Sequence, residues 1–141
     1  MFVMNATDAR KDWSLVVDQV VREKPTFIKR TRDLMVLSNL SLFESMLTPY
    51  TFTAQEYTEK DGSITLSLNE IDLIENGKTE DEVKLSMARA IQEYAEDYYN
   101  NFALWSAAPN RKSHIPYVLK ALILEDAKKI GDLIKCQAGK N

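Results

Sequence analysis

Hydrophobic positions along the chain recur with two periods, and the switches between them mark out its elements. After a short apolar start at Phe2–Met4, read as a strand, NATDARKDWSLVVDQV places Ala9, Trp13, Val16, Val17 and Val20 at i, i+3, i+4, i+7 spacing. That spacing puts apolar side chains on one helix face. Asn5 or Thr7 caps this helix, which runs to about Arg22 and ends before Pro25. Trp13 and the valines are expected in the core, while Leu15 falls on the opposite side. TFIKRTRDLMVLSNL then sets two apolar, partly β-branched runs about a polar turn at Thr31–Asp33, which reads as a hairpin. SLFESML is a short helix capped by Ser41 and ended by Thr48-Pro49.

From Tyr50 the period returns to two. YTFTAQEYTEK directs Tyr50, Phe52, Ala54 and Tyr57 one way, Asp61-Gly62 is a hairpin-turn signal, and SITLSLNEI alternates through Ile64, Leu66 and Leu68. A loop containing Gly77 leads to KTEDEVKLSMARAIQEYAEDYYNN. There Thr79 and Glu82 form a capping box, and Val83, Met87, Ala90, Ile91, Tyr94 and Tyr98 trace one apolar stripe. ALWSAAPNRKSH reads as a loop, followed by two short helices capped by Ser113 and Asp126. The tail QAGKN reads as loose.

Composition adds bounds. The 141 residues suffice for one domain or two small ones, with 45% hydrophobic and 28% charged residues and a net charge of −3. Charge is uneven: residues 1–47 hold seven Lys/Arg against six Asp/Glu, and residues 48–141 eleven against fifteen. One cysteine, Cys136, excludes an internal disulfide and suits a reducing compartment. No apolar run approaches the ~20 residues of a membrane helix, and the start lacks a signal-peptide pattern. A cytoplasmic protein is expected.

Candidate chemistry is sparse. Arg10, Lys11, Lys29, Arg30 and Arg32 are the cations concentrated near the start. They suit phosphate or base-edge contacts, but equally a solvated turn and helix face among Asp8, Asp12 and Asp33. The sole histidine, His114, lacks the partners of a nucleophilic triad or zinc site. Glu59, Asp61, Glu80, Asp81 and Glu82 lie at a turn and a helix start, where carboxylates are favoured anyway. No glycine-rich phosphate loop exists. No cofactor, no metal and no catalysis are expected. Trp105, Arg111, His114 and Tyr117 cluster in an unusual stretch that reads either as a partner-docking loop or as an intramolecular strap.

The order of motifs in residues 5–47 resembles the prevent-host-death (Phd/YefM) family of antitoxins. Ala9-Arg10, Leu15, Val16, Val20, Pro25, Ile28, Arg30, Arg32, Val36, Leu37, Phe43 and Leu47 stand where that family has a Thr-capped Ala-Arg, an apolar helix, an ITRRGKPVAVL-like hairpin and a closing short helix. The departure is KRTRDLM, which lacks the family's turn glycine; Asp33 is the tolerant residue there. Residues 52–99 are similar to the HicB antitoxin domain, a truncated ribonuclease-H-like unit, through Asp61, Gly62, Leu66, Leu68, Ile71, Gly77, Thr79, Glu82, Ala90 and Tyr94. Val83 replaces the motif's commoner alanine.

These resemblances imply an α+β chain. Residues 1–48 would be a Phd/YefM-like dimerisation and DNA-binding module, and residues 49–141 a HicB-like toxin-binding domain with C-terminal helices. The implied function is a homodimeric, autorepressing antitoxin that binds operator DNA and occludes a cognate toxin, plausibly a small basic ribonuclease. Arg10 becomes the foremost DNA contact, with Lys11, Lys29, Arg30 and Arg32 on phosphates and Leu15 at the two-fold interface. The alternatives are a stand-alone dimeric interaction module without DNA binding, and a ribonuclease-H-like hydrolase.

Overall fold

Residues 2–139 are described in the computed structural model. They form an α+β structure of two mixed sheets and, among the described residues, seven α-helices. The chain divides into two units, residues 1–46 and 47–141.

In the first unit β1 (Val3–Asn5) runs parallel to β2 (Thr26–Arg30), and β2 pairs antiparallel with β3 (Asp33–Leu37). The parallel pairing demands a crossover, supplied by α1 (Ala6–Lys11) and α2 (Trp13–Arg22). Asn5 is the cap: its Oδ1 accepts from the Thr7 amide at 2.8 Å. The single helix read from the periodicity is two, because the backbone leaves helical geometry at Asp12 (φ −108°, ψ 32°). Ala9, Val16 and Val20 pack with Ile28 as the buried core. Trp13 and Val17, expected there, are 51% and 39% exposed, and Val21 is exposed too. The apolar stripe is wider than a sheet of three short strands covers. In the hairpin turn the positive φ (55°) falls on Thr31, not on Asp33, which opens β3. α3 (Leu40–Leu47) is capped by Asn39, whose Oδ1 accepts from the Leu42 amide at 2.7 Å, rather than by Ser41.

The second unit is a four-stranded sheet, order β6-β5-β4-β7, with β4 (Thr53–Thr58), β5 (Ile64–Leu68), β6 (Ile74–Gly77) and β7 (Lys135–Ala138). The β4–β5 turn carries Gly62 at φ 85°, a conformation that costs glycine little, and the Asp61 carboxylate accepts from the Ser63 amide. Phe52, Ala54, Leu66 and Leu68 line one face. Glu56 is the cross-strand partner of Leu66 and shares that face. Tyr57, expected to join Phe52 and Ala54, therefore points to the other.

Packed on that core is α4 (Glu80–Asn100). Thr79 Oγ1 accepts from the Glu82 amide at 3.1 Å, and the Glu82 carboxylate accepts from the Lys78 amide at 3.2 Å, completing the cap. Val83, Met87, Ile91 and Tyr98 are fully buried; the alanines at the core are Ala88 and Ala95, not Ala90.

Three readings change downstream. The segment assigned to a loop contains α5 (Phe102–Ala107) and a 3-10 turn, Lys112–His114. α6 (Ile115–Leu124) has no side-chain cap, from Ser113 or otherwise; Pro116 near its start presets the helical backbone instead. Of the tail read as loose, Gln137 and Ala138 belong to β7, which after α7 (Ala127–Leu133), capped by Asp126, adds to β4 in parallel, while Lys140 and Asn141 lie outside the described residues. The loop before Gly77 likewise contains β6. No helix among the described residues is long and apolar enough to cross a membrane.

Candidate functional site

Strand alternation sorts the five N-terminal cations. Ile28 faces α1 and α2 from the middle of β2, so Arg30, two residues on, lies on the helix side. Arg10 sits in the last turn of α1. The two arginines line one open cleft of ≈ 320 Å³ with Asn5, Ala6, Thr7 and Thr31. Arg30 also meets Asp33 at 3.5 Å, with both side chains about 70% exposed, a pairing that contributes little in water. Lys29 is displayed on the opposite face of the sheet, beside Leu34 on β3. Lys11 and Arg32 are exposed and outside the cleft. The geometry thus unites two of the five cations, Arg10 and Arg30. Leu15 is exposed on α2.

In the second unit, Trp105, Arg111, His114 and Tyr117 are half-buried and each is engaged within the chain. Tyr94 and Tyr98, one turn apart on α4, form the platform. The Trp105 ring packs on both, centroids 5.7 and 5.6 Å away, and the Arg111 guanidinium lies 4.1 Å above Trp105. That cation–π contact is worth about 0.5–1 kcal/mol when partly exposed. Tyr98 donates to the Arg111 carbonyl at 2.8 Å, and Tyr94 Oη lies 2.6 Å from His114 Nδ1. Burial pushes the imidazole below its ordinary value, with Asp72 opposing and Arg111 reinforcing. Burial likewise raises the Tyr94 and Tyr98 hydroxyls. Tyr117 packs instead on Tyr50 and Phe52, and Lys120 donates to the Tyr50 carbonyl at 2.6 Å. This is the geometry of a strap across α4. Tyr94 and Tyr98, expected at helical spacing to pack on the core, do so and also carry the strap.

A second cleft, ≈ 310 Å³, runs between α4 and α6. Ala95, Ala121 and Leu122 line it with Gln92, Glu96 and Glu125. Gln92 donates to the Glu125 carbonyl, holding the end of α6 against α4. Among the described residues no three His, Cys, Asp or Glu side chains are placed to share a metal ion. Cys136 is half-buried, and its thiol is pushed up by that burial.

Residues 1–136 match the family model described as PHD-like, an antitoxin of RelE/RelB toxin–antitoxin systems. The fold is similar to the crystal structure of a protein from Syntrophomonas wolfei subsp. wolfei described as the antitoxin part of a toxin/antitoxin system. The TM-score is 0.92 at 35% sequence identity, covering 98% of this chain and 99% of that one. No curated protein matches the chain significantly.

Proposed function

The chain belongs to the PHD-like family of antitoxins of RelE/RelB toxin–antitoxin systems, and on that premise we propose that it represses its own operator as a dimer and neutralises a cognate toxin by occlusion. The observation carrying the DNA half is the cleft that Arg10 and Arg30 share. Two guanidiniums on one concave surface suit phosphate or guanine contacts, because each offers a planar fork of donors. Lys11, Lys29 and Arg32 would add phosphate contacts around it. A two-fold dimer repeats the cleft, as a palindromic operator requires. Residues 2–46 supply 13 of the 19 large hydrophobic side chains left exposed among the described residues, Leu15 among them. That surplus supports pairing through this unit, which on this reading is the Phd/YefM-like module.

The second unit, read as HicB-like, would hold the toxin. Its excess of carboxylates, with Glu96 and Glu125 at the α4–α6 cleft, favours a basic partner such as a small ribonuclease. Charge of this kind speeds and orients encounter more than it sets affinity. The half-exposed edges of Trp105, Arg111, His114 and Tyr117 would extend the contact. Occlusion requires no chemistry of this chain, and the pair would act in the cytoplasm.

Mobility-shift titration against the DNA upstream of the coding sequence tests the repressor half. Arg10→Ala with Arg30→Ala removes four cationic contacts from a dimer and should lower the log–log salt slope by roughly 3–4. Absence of any retarded complex at low salt, or an unchanged slope in the double variant, would overturn it in favour of an interaction module without DNA binding.

A further inference from the structure

The second unit leaves one helix short of cover. The sequence of α6, IPYVLKALIL, has a single charged residue, Lys120, whose ammonium is taken up by the Tyr50 carbonyl. A helix apolar on every side is ordinarily enclosed on every side, yet only Val118 and Ala121 of α6 are buried. Cover is missing along the ≈ 310 Å³ cleft where α6 meets α4. Ala95 and Ala121 form its floor and Leu122 its apolar wall; among the described residues its lining holds two carboxylates, Glu96 and Glu125, and no cation. Tyr99, 62% exposed, stands one helical turn beyond Ala95 and Glu96 and continues the α4 side. Glu125 closes the end of α6 at φ 58°, a conformation that glycine or asparagine ordinarily takes at a helix end. Gln92 holds it there by its carbonyl, at 2.5 Å.

We propose that this groove seats a basic amphipathic helix of the toxin, with the apolar face of that helix on Ala95, Ala121 and Leu122 and its cations at Glu96 and Glu125. This rests on the toxin-binding reading above and names the groove and the class of segment that fills it. A third helix is the element that packs between two others, and the alanine floor lets its side chains reach the bottom. Lysine and arginine suit the walls, since their stems lie on apolar surface while their charged ends reach a carboxylate rim. A second copy of this chain, at a net charge of −3, would set like charge against that rim. The glutamate at positive φ fits the same account, because glycine would relieve the backbone there but remove half of the rim.

The test is calorimetric titration of the full chain with the protein encoded in the adjacent reading frame, beside thermal unfolding of each variant alone. Glu125→Gly should raise the thermal midpoint while its Kd for that protein rises roughly tenfold. Tyr99→Ala, at an exposed site, should keep its midpoint and weaken binding roughly tenfold or more. Ile74→Ala, at a similarly exposed apolar site on β6 (69%), should bind as wild type does. Hydrogen exchange on the complex should protect one segment of the partner with apolar and Lys/Arg positions at helical spacing. Wild-type affinity in both Glu125→Gly and Tyr99→Ala, or protection of an alternating or acidic partner segment, overturns the groove inference and leaves toxin binding standing. Weakening by Ile74→Ala alone overturns it too, by moving the contact to the sheet edge. A Glu125→Gly midpoint that falls together with its affinity counts against the rim role of Glu125. Absence of any complex with the wild-type chain overturns both readings.

Discussion

Tyr98 offers the sharpest perturbation of the second unit. It is among the largest fully buried side chains, its ring meets Tyr94, Phe102 and Trp105, and its hydroxyl donates to the Arg111 carbonyl at 2.8 Å. That carbonyl also accepts from the His114 amide at 3.0 Å. Tyr98→Phe therefore removes one hydrogen bond without orphaning its acceptor, and should cost about 1 kcal/mol. For a unit of this size that lowers Tm by about 4–8 °C. Tyr98→Ala also deletes the ring and leaves a cavity, for about 3–5 kcal/mol, a large share of the ~5–15 kcal/mol that typically holds a domain. Urea unfolding followed by Trp105 fluorescence reads both; the exposed Trp13 is first replaced by Phe so that one tryptophan reports. Equal losses for the two variants would mean the hydroxyl, not the ring, anchors the strap. A Tyr98→Ala loss below about 1 kcal/mol would remove the ring from the core altogether.

Two further outcomes follow. Thr31 holds φ 55° although it is β-branched, so Thr31→Gly should stabilise the first unit by about 0.5–1 kcal/mol, raising its thermal midpoint; a lowered midpoint would show that the turn is not strained. His114 titrates below its unfolded value of 6.5 because of burial, so the unfolded chain takes up its proton first. Its contribution is complete above pH 6.5 and falls as pH drops from there through the folded value. Urea midpoints measured from pH 8 to 5 should decline below 6.5, less steeply in His114→Gln, and an identical decline in that variant would clear the histidine.

The elements legible in the sequence are those whose local signals agree with their packing. α4 has its Thr79–Glu82 cap and a stripe that does bury Val83, Met87, Ile91 and Tyr98, and Asp61-Gly62 turns the β4–β5 hairpin. What escaped depends on distant partners. KCQA has no strand pattern of its own and becomes β7 only because β4 offers an open edge. α5 hides behind Pro109 and an aromatic run whose anchor, the Tyr94–Tyr98 platform, lies on another element. Trp13 and Val17 went the other way: the 3.6-residue period marks which side chains share a face, but whether that face is covered is a property of the assembled unit. The same holds for the site. The five cations are visible in the sequence, yet which two share a cleft depends on Arg30 falling on the side of the sheet that Ile28 buries.

Titrating the purified full chain with the protein encoded in the adjacent reading frame, by calorimetry, tests whether this antitoxin holds a basic toxin on its acidic second unit. Such binding gives a saturable stoichiometric complex that weakens with added salt and when Glu96 and Glu125 are replaced together by lysine. No heat of binding at micromolar concentrations, or equal binding by the Glu96→Lys/Glu125→Lys variant, would contradict it.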